Sequence, residues 1–323
     1  MKNILSADIG GTNSRFGHFT VDRNNTVSLV ESIWLKTSDA GSFSELMDNL
    51  KRSAFSLNPE SADIVVIAVA GPVENRVRSN PPLIAWDIDI STAGKDFGFK
   101  RCILINDFIA QAFACRSPIA ESAETILAGS PQNDAATAVI GAGTGLGKAL
   151  IMQTGNGRYV AIPSEGGHAN FPFVSGKEFA YQNFLLQERS ECYITGNTVV
   201  SGRGLSYLHQ FLTGRKREPS EVVEEFSLYP ETLEWASRFY ARTCRNYVLE
   251  TLAMGGLYIA GGVAARTPEL LTHQAFEKEF RSSDTLADLL AKIPVSLIRD
   301  ENSGLWGCGM LALQTLKESK EKT

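Results

Sequence analysis

The stretch Leu5-Ser6-Ala7-Asp8-Ile9-Gly10-Gly11-Thr12-Asn13-Ser14-Arg15-Phe16 reads as an apolar strand, a glycine turn and a second strand. Glycine permits the positive φ and the close approach that let such a turn offer backbone N–H groups to an anion. About 130 residues later the plan recurs as Ala138-Val139-Ile140-Gly141-Ala142-Gly143-Thr144-Gly145-Leu146-Gly147-Lys148-Ala149. Thr12 and Thr144 stand in matching places, and the first copy carries an acid, Asp8, near its strand end. Two similar units, one per domain, follow from this internal repeat.

The commoner nucleotide motifs do not fit the second copy. A Walker A loop needs glycine where Ala142 stands and a Ser or Thr where Ala149 stands. A dinucleotide fingerprint starting at Gly141 needs its third glycine at Leu146, and β-type residues rather than a helix follow.

The chain has 323 residues, which suits about two domains at roughly 100 to 200 residues each. Hydrophobic residues make up 43%, charged residues 21%, and the net charge is −5, so strong binding to nucleic acid or anionic membranes is not expected. The 28 glycines fall in clusters rather than in a repeat. The N-terminus lacks the apolar core of a signal peptide, and the longest uncharged apolar stretch, 251–265, is too short to span a bilayer. Five scattered cysteines and no Cys-x-x-Cys pair fit a reducing compartment, so a cytoplasmic location is expected.

Apolar β-rich runs alternate with amphipathic helical ones, the α/β signature. Strands are expected at 4–9, 14–20, 64–70, 101–105, 136–140, 147–153, 159–162, 257–260 and 295–298. Helices are expected at 42–55, 107–115, 176–188, 204–212, 231–254 and 304–317, with a charged, solvated helix end at 317–323.

Further candidates sit at strand ends. Leu257 to Val263 ends in Gly261-Gly262, where bare backbone could pack on a purine ring or simply make a turn. Gly304, Gly307 and Gly309 open the last helix at small spacing, which suits close helix packing at a domain crossing. In Arg101 to Phe108 an apolar strand ends in Asn106-Asp107, and Asp107 could be a helix cap or a catalytic acid. Glu165 and His168, on the loop Pro163-Ser164-Glu165-Gly166-Gly167-His168, could bind ligand hydroxyls or face solvent.

Taken together and in this order, Asp8 to Arg15, Asn106-Asp107, Gly141 to Gly147 and Glu165 to His168 resemble the bacterial glucokinase family, within the sugar kinase, chaperone ATPase and actin superfamily. The resemblance covers essentially the whole chain. It implies an α/β fold of two ribonuclease H-like (actin-like ATPase) domains flanking a cleft, a small one at 1–115 plus 304–323 and a large one at 116–303. It also implies ATP and Mg²⁺ as cofactors and glucose, or a related hexose, as the partner. Asp8, Gly10, Gly11, Thr12 and Asn13 resemble the first phosphate loop, with Asp8 holding hydrated Mg²⁺. Gly141, Gly143, Thr144, Gly145 and Gly147 resemble the second phosphate loop, and Gly261 and Gly262 the adenosine site. Asn106 and Asp107 resemble the sugar pair, Asp107 as the base at the 6-hydroxyl, while Glu165 and His168 resemble ligands of hydroxyls near the anomeric carbon. Asn80 resembles another sugar-side asparagine, although two extra residues separate it from Trp86. Sugar binding is expected to draw the domains together and expel water. A homodimer is what the family implies.

One position departs from the family. Counting from Val200-Ser201-Gly202-Arg203-Gly204, the family's sugar-binding Glu is Asn197 here. Replacing a charged hydrogen bond by a neutral one is worth about 1 kcal/mol, several-fold in affinity. Glu191 is near enough in sequence to compensate. The alternatives are therefore a kinase for a different hexose or amino sugar, and a non-catalytic sugar-binding regulator. The latter usually carries a DNA-binding segment ahead of the first loop, for which seven residues before Asp8 are too few. A chaperone-like or filament ATPase would turn over ATP without sugar. No cysteine-rich zinc motif accompanies the histidine loop.

Overall fold

The computed structural model describes residues 1–321; Lys322 and Thr323, the end of the expected charged tail, lie outside the described residues. The chain forms two compact units, Met1–Ser122 with the segment from Asp300 onward, and Ala123–Arg299.

The first unit is built on β1 (Lys2–Ile9), β2 (Asn13–Val21), β3 (Val27–Lys36), β4 (Ile64–Val69), a short pair β5 (Arg78–Ser79) and β6 (Ile88–Asp89), and β7 (Cys102–Asn106). The main sheet runs β3-β2-β1-β4-β7. β1, β2 and β3 form an antiparallel meander, and β1, β4 and β7 run parallel. All six residues of β4, Ile-Val-Val-Ile-Ala-Val, are buried, as a central parallel strand covered on both faces requires. On β1 the pleat sends Leu5, Ala7 and Ile9 into a core with helix Phe43–Arg52. That helix buries Phe43, Leu46, Met47 and Leu50, the i, i+3, i+4, i+7 stripe, and is capped by Ser42, whose side chain accepts Glu45 N–H. The last helix, Ser303–Glu321, packs on β1, β4 and helix Asp107–Ala114.

The second unit contains β8 (Glu124–Leu127), β9 (Thr137–Ala142), β10 (Leu146–Gln153), β11 (Tyr159–Ser164), β12 (Leu257–Ala260) and β13 (Val295–Leu297), in the order β11-β10-β9-β12-β13-β8. β9, β10 and β11 are again an antiparallel meander, β9, β12 and β13 again run parallel, and β8 adds an antiparallel edge. The five-strand plan of the first unit is thus repeated strand for strand. Helices Gly176–Arg189, Gly202–Thr213 and Pro230–Thr251 pack in one core with Phe171, Tyr181, Trp235 and Phe239. Arg242, 1% exposed, is satisfied there by Glu178 at 2.6 Å and Glu279 at 2.8 Å. Both partners are needed, because a buried guanidinium left unpaired is strongly destabilising.

The expected strands and helices are present, with ends that differ by at most four residues. β3 was not expected. Its burial alternates as an edge strand with one solvated face, and that face breaks up the apolar signal.

Candidate active site

The parallel register of the first unit gathers the candidate residues at one sheet edge. Ile9 pairs with Val69 and Val69 with Asn106, so β1, β4 and β7 end level with one another. Open α/β sheets bind ligands beyond the carboxyl ends of such strands. The loops leaving these ends carry Gly10 to Asn13, Gly71 to Pro82, and Asn106-Asp107.

The first hairpin is tied from behind. Gly10 N–H donates to Asn13 O at 3.0 Å, and Thr37 Oγ1 donates to Gly10 O at 2.7 Å. Thr37 N–H also holds Thr12 O at 3.0 Å, which leaves Thr12 exposed at the tip. A Cβ on Gly11 would stand 2.8 Å from Leu83 O, so only glycine fits there. Asp8, beneath the turn, is directly opposite Arg15, and Arg15 Nη1 donates to its Oδ2 at 3.3 Å. The Arg15 guanidinium lies 4.2 Å from the centre of the Trp34 ring. Burial raises the Asp8 carboxyl above the usual carboxylate range, against the opposing pull of Arg15.

The last helix presses on both acids' supports. A Cβ on Gly304 would lie 2.6 Å from Asp8 Oδ2, and one on Gly307 would lie 1.7 Å from Ala110 O in helix Asp107–Ala114. The close packing expected of these glycines is present, but its partners Asp8 and Ala110 belong to the same unit as the helix rather than to a domain crossing. Asn106 rather than Asp107 is the cap of helix Asp107–Ala114: its Oδ1 accepts Phe108 N–H at 2.9 Å and its Nδ2 donates to Gly71 O at 3.0 Å. Asp107 is the first helical residue, with Oδ1 3.0 Å from Phe108 N, where the helix dipole favours a carboxylate. Asn80 is exposed on the loop that Gly71, at φ 117°, folds against Pro82. Between Asn80 and Trp86 the chain makes a turn closed by Ile84 N–H on Pro81 O at 3.2 Å.

The second hairpin is held differently. Gly143 N–H donates to Gly145 O at 2.8 Å, leaving Thr144 exposed at the tip. Gly147 pairs with Gly141, and Ala260 pairs with Gly141 from the other side, which sets Gly261-Gly262 beside the hairpin. Gly261 has φ 94°, and a Cβ there would meet Ala142 O at 2.8 Å. Glu165 and His168 are exposed on a short turn, with Glu165 Oε2 3.8 Å from His168 Nε2. Asn197 does reach this neighbourhood: its Oδ1 accepts Leu146 N–H at 2.7 Å. Glu191 is engaged elsewhere, by Arg189 at 2.8 Å and Thr198 Oγ1 at 3.2 Å.

Arg15, Thr37 and Lys148 were not singled out from sequence, and Gly304 was read there only as a packing glycine. Arg15 is opposite Asp8 across the hairpin, a signal available in the strand pattern; Thr37 arrives from a distant segment with no local signal, and the glycine spacing at Gly304 does not say that Asp8 is what it packs on. Lys148 is buried with its Nζ 5.1 Å from the centre of the Tyr247 ring, and burial lowers its basicity. Among the described residues no three His, Cys, Asp or Glu side chains cluster as a metal cage. A lone Asp8 fits a magnesium ion that keeps several waters and shares phosphate oxygens.

Two units of one strand plan, each with a glycine hairpin at the same β-meander position, are the plan of the actin-like ATPase fold, and the relatives that share it here are sugar kinases. A glucokinase from an Antarctic psychrotroph has this fold, with a TM-score of 0.81 and 25% identity over 96% of this chain and 98% of its own. A ROK family glucokinase from Streptomyces griseus, in complex with glucose and AMPPNP, superposes with a TM-score of 0.61 at 17% identity, covering 96% and 98%. The glucokinase family model matches residues 5–315, and a Nostoc sp. glucokinase is 30% identical over 97% of this chain and 99% of its own length. The chain belongs to the glucokinase family. No helix among the described residues is long and apolar enough to cross a membrane.

Proposed function

We propose that the protein transfers the γ-phosphoryl group of ATP to the 6-hydroxyl of glucose. The observation that carries this reading is the level ending of β1, β4 and β7, which puts Asp8 with its glycine hairpin and Asn106-Asp107 on one sheet edge. In this reading Asp107 accepts the proton of the 6-hydroxyl, and Asn106, fixed by its cap and by Gly71, orients the sugar. Asn80, Glu165, His168 and the Nδ2 of Asn197 take the remaining hydroxyls. Gly10, Gly11, Thr12, Asn13, Gly141, Gly143, Thr144, Gly145 and Gly147 bind the phosphates, and Gly261-Gly262 lie against the adenosine. Asp8 holds Mg²⁺ through water; the ion, when bound, neutralises charge on the phosphates.

Phosphoryl transfer passes through a loose transition state, so alignment and charge neutralisation do most of the work. Glycine backbone supplies N–H donors at fixed positions, and Asp107 at a helix start is held where proton acceptance is needed. The same reading places the protein in the cytoplasm as a homodimer.

A second reading, a kinase for another hexose or amino sugar, is favoured by Asn197, whose oxygen is already engaged by Leu146. A panel of glucose, mannose, fructose and glucosamine with ATP and Mg²⁺ in a coupled ADP-release assay tests both. Glucose is expected to give the highest rate. A far higher rate on another sugar would replace glucose, and equal ADP release without sugar would remove the kinase reading.

A further inference from the structure

Three segments of the second unit meet at one carboxamide. Asn197 Oδ1 accepts Leu146 N–H from the second hairpin at 2.7 Å. Only the oxygen of a carboxamide can accept, so the group's orientation is set and Nδ2 remains the donor. Its position leaves no room on the sugar-side loop: a Cβ on Gly167 would stand 2.5 Å from Asn197 Oδ1 and 2.0 Å from Leu146 O. At Gly145, on the hairpin itself, the same oxygen is 3.4 Å from the Cβ position.

The chain around Asn197 is pinned at both ends. Towards the Glu165–His168 loop, Gly196 N–H donates to Ala169 O at 3.1 Å, Phe171 N–H donates to Ile194 O at 2.8 Å, and Asn170 bridges to Thr195. Towards the hairpin tip, Gly202 N–H donates to Gly143 O at 3.1 Å. The segment 194–202 therefore touches both the loop of Glu165 and His168 and the hairpin of Gly143 to Leu146, and Asn197 is the side chain that joins them.

We propose that Asn197 is a positioning residue that couples the nucleotide hairpin to the sugar-side loop, so that ATP and sugar affinities depend on it together. The proposal rests on the functional reading above and adds to it: a side chain serving only the sugar would leave ATP untouched. A Leu146 N–H with no acceptor frees the hairpin, and a freed hairpin no longer backs Gly167.

The test compares wild type, Asn197→Ala and Asn197→Asp, measuring KM for glucose at saturating MgATP, KM for ATP at saturating glucose, and Tm. Asn197→Ala is expected to raise both KM values about five-fold, the worth of one neutral hydrogen bond. Asn197→Asp keeps the acceptor for Leu146 and loses the Nδ2 donor, so ATP KM returns towards the wild-type value while glucose KM stays raised. A rise in glucose KM alone in Asn197→Ala overturns the proposal, as does a lower Tm with both KM values unchanged. If Asn197→Ala fails to fold, Asn197→Ser, whose shorter side chain cannot reach Leu146 N–H, takes its place under the same criteria: a rise in glucose KM alone overturns the proposal. Failure of the functional reading itself shows separately, as glucose-independent ADP release by the wild type.

Discussion

The two glycine hairpins share a backbone plan and differ in what stands behind it. In the first, the cross-strand pair beneath the turn is Asp8 and Arg15, joined at 3.3 Å, with Arg15 spread on Trp34. In the second, the corresponding strand position is Ile140, paired with Lys148, whose ammonium points away to Tyr247. The first turn is held by Thr37 from its own meander, the second by Asn197, 51 residues from Leu146. The difference teaches that repeated topology need not repeat its supports: one copy keeps an ion pair beneath its turn, the other a carboxamide brought in from a distant segment.

The largest effect expected from this contrast lies at Asp8. Asp8→Asn removes the carboxylate but not the volume, and a group that holds metal through water is typically worth about 10- to 100-fold in affinity or activity. ADP release should fall by that amount, with recovery at high Mg²⁺, while Tm stays near wild type. An unchanged rate would erase the distinction between the hairpins.

The smallest effect lies at the opposite member of the second pair. Lys148→Met replaces a buried cation with an apolar side chain of similar length and removes the cost of burying that charge. Turnover should be unaffected. Because burial lowers the Lys148 pKa, the native state holds fewer protons there than the unfolded chain over the alkaline range. Wild-type stability from this group therefore rises as pH climbs towards the ordinary lysine value near about 10.4, and falls as pH drops through the lowered one. Urea unfolding of both proteins across that range checks it: the variant should lack this slope, and a parallel slope would contradict the account.

Much of this was legible in the sequence because it is local. Gly10-Gly11 and Gly141 to Gly147 announce their turns, and the buried run of β4 announces a central strand. What was not legible depends on residues far apart in the chain. Gly304 against Asp8 and Thr37 against Gly10 join segments that no periodicity connects. The edge strand β3 has too few buried positions to stand out. At Asn106-Asp107 the difficulty is of another kind: both side chains can cap a helix, and only geometry makes Asn106 the cap and Asp107 the first helical residue, its Oδ1 also meeting Phe108 N–H. Asn197 was visible as a departure from the family, but its bond to Leu146 was not, and that bond decides which of its atoms can meet a sugar.

The central claim is that Asp107, at the end of β7, accepts the proton of the sugar hydroxyl. Its most direct test is Asp107→Asn in the glucose-dependent ADP-release assay, with MgATP binding measured in parallel. The account predicts that turnover falls by about 10² to 10⁴ while MgATP affinity and Tm are retained. Retention of most of the wild-type rate would contradict it.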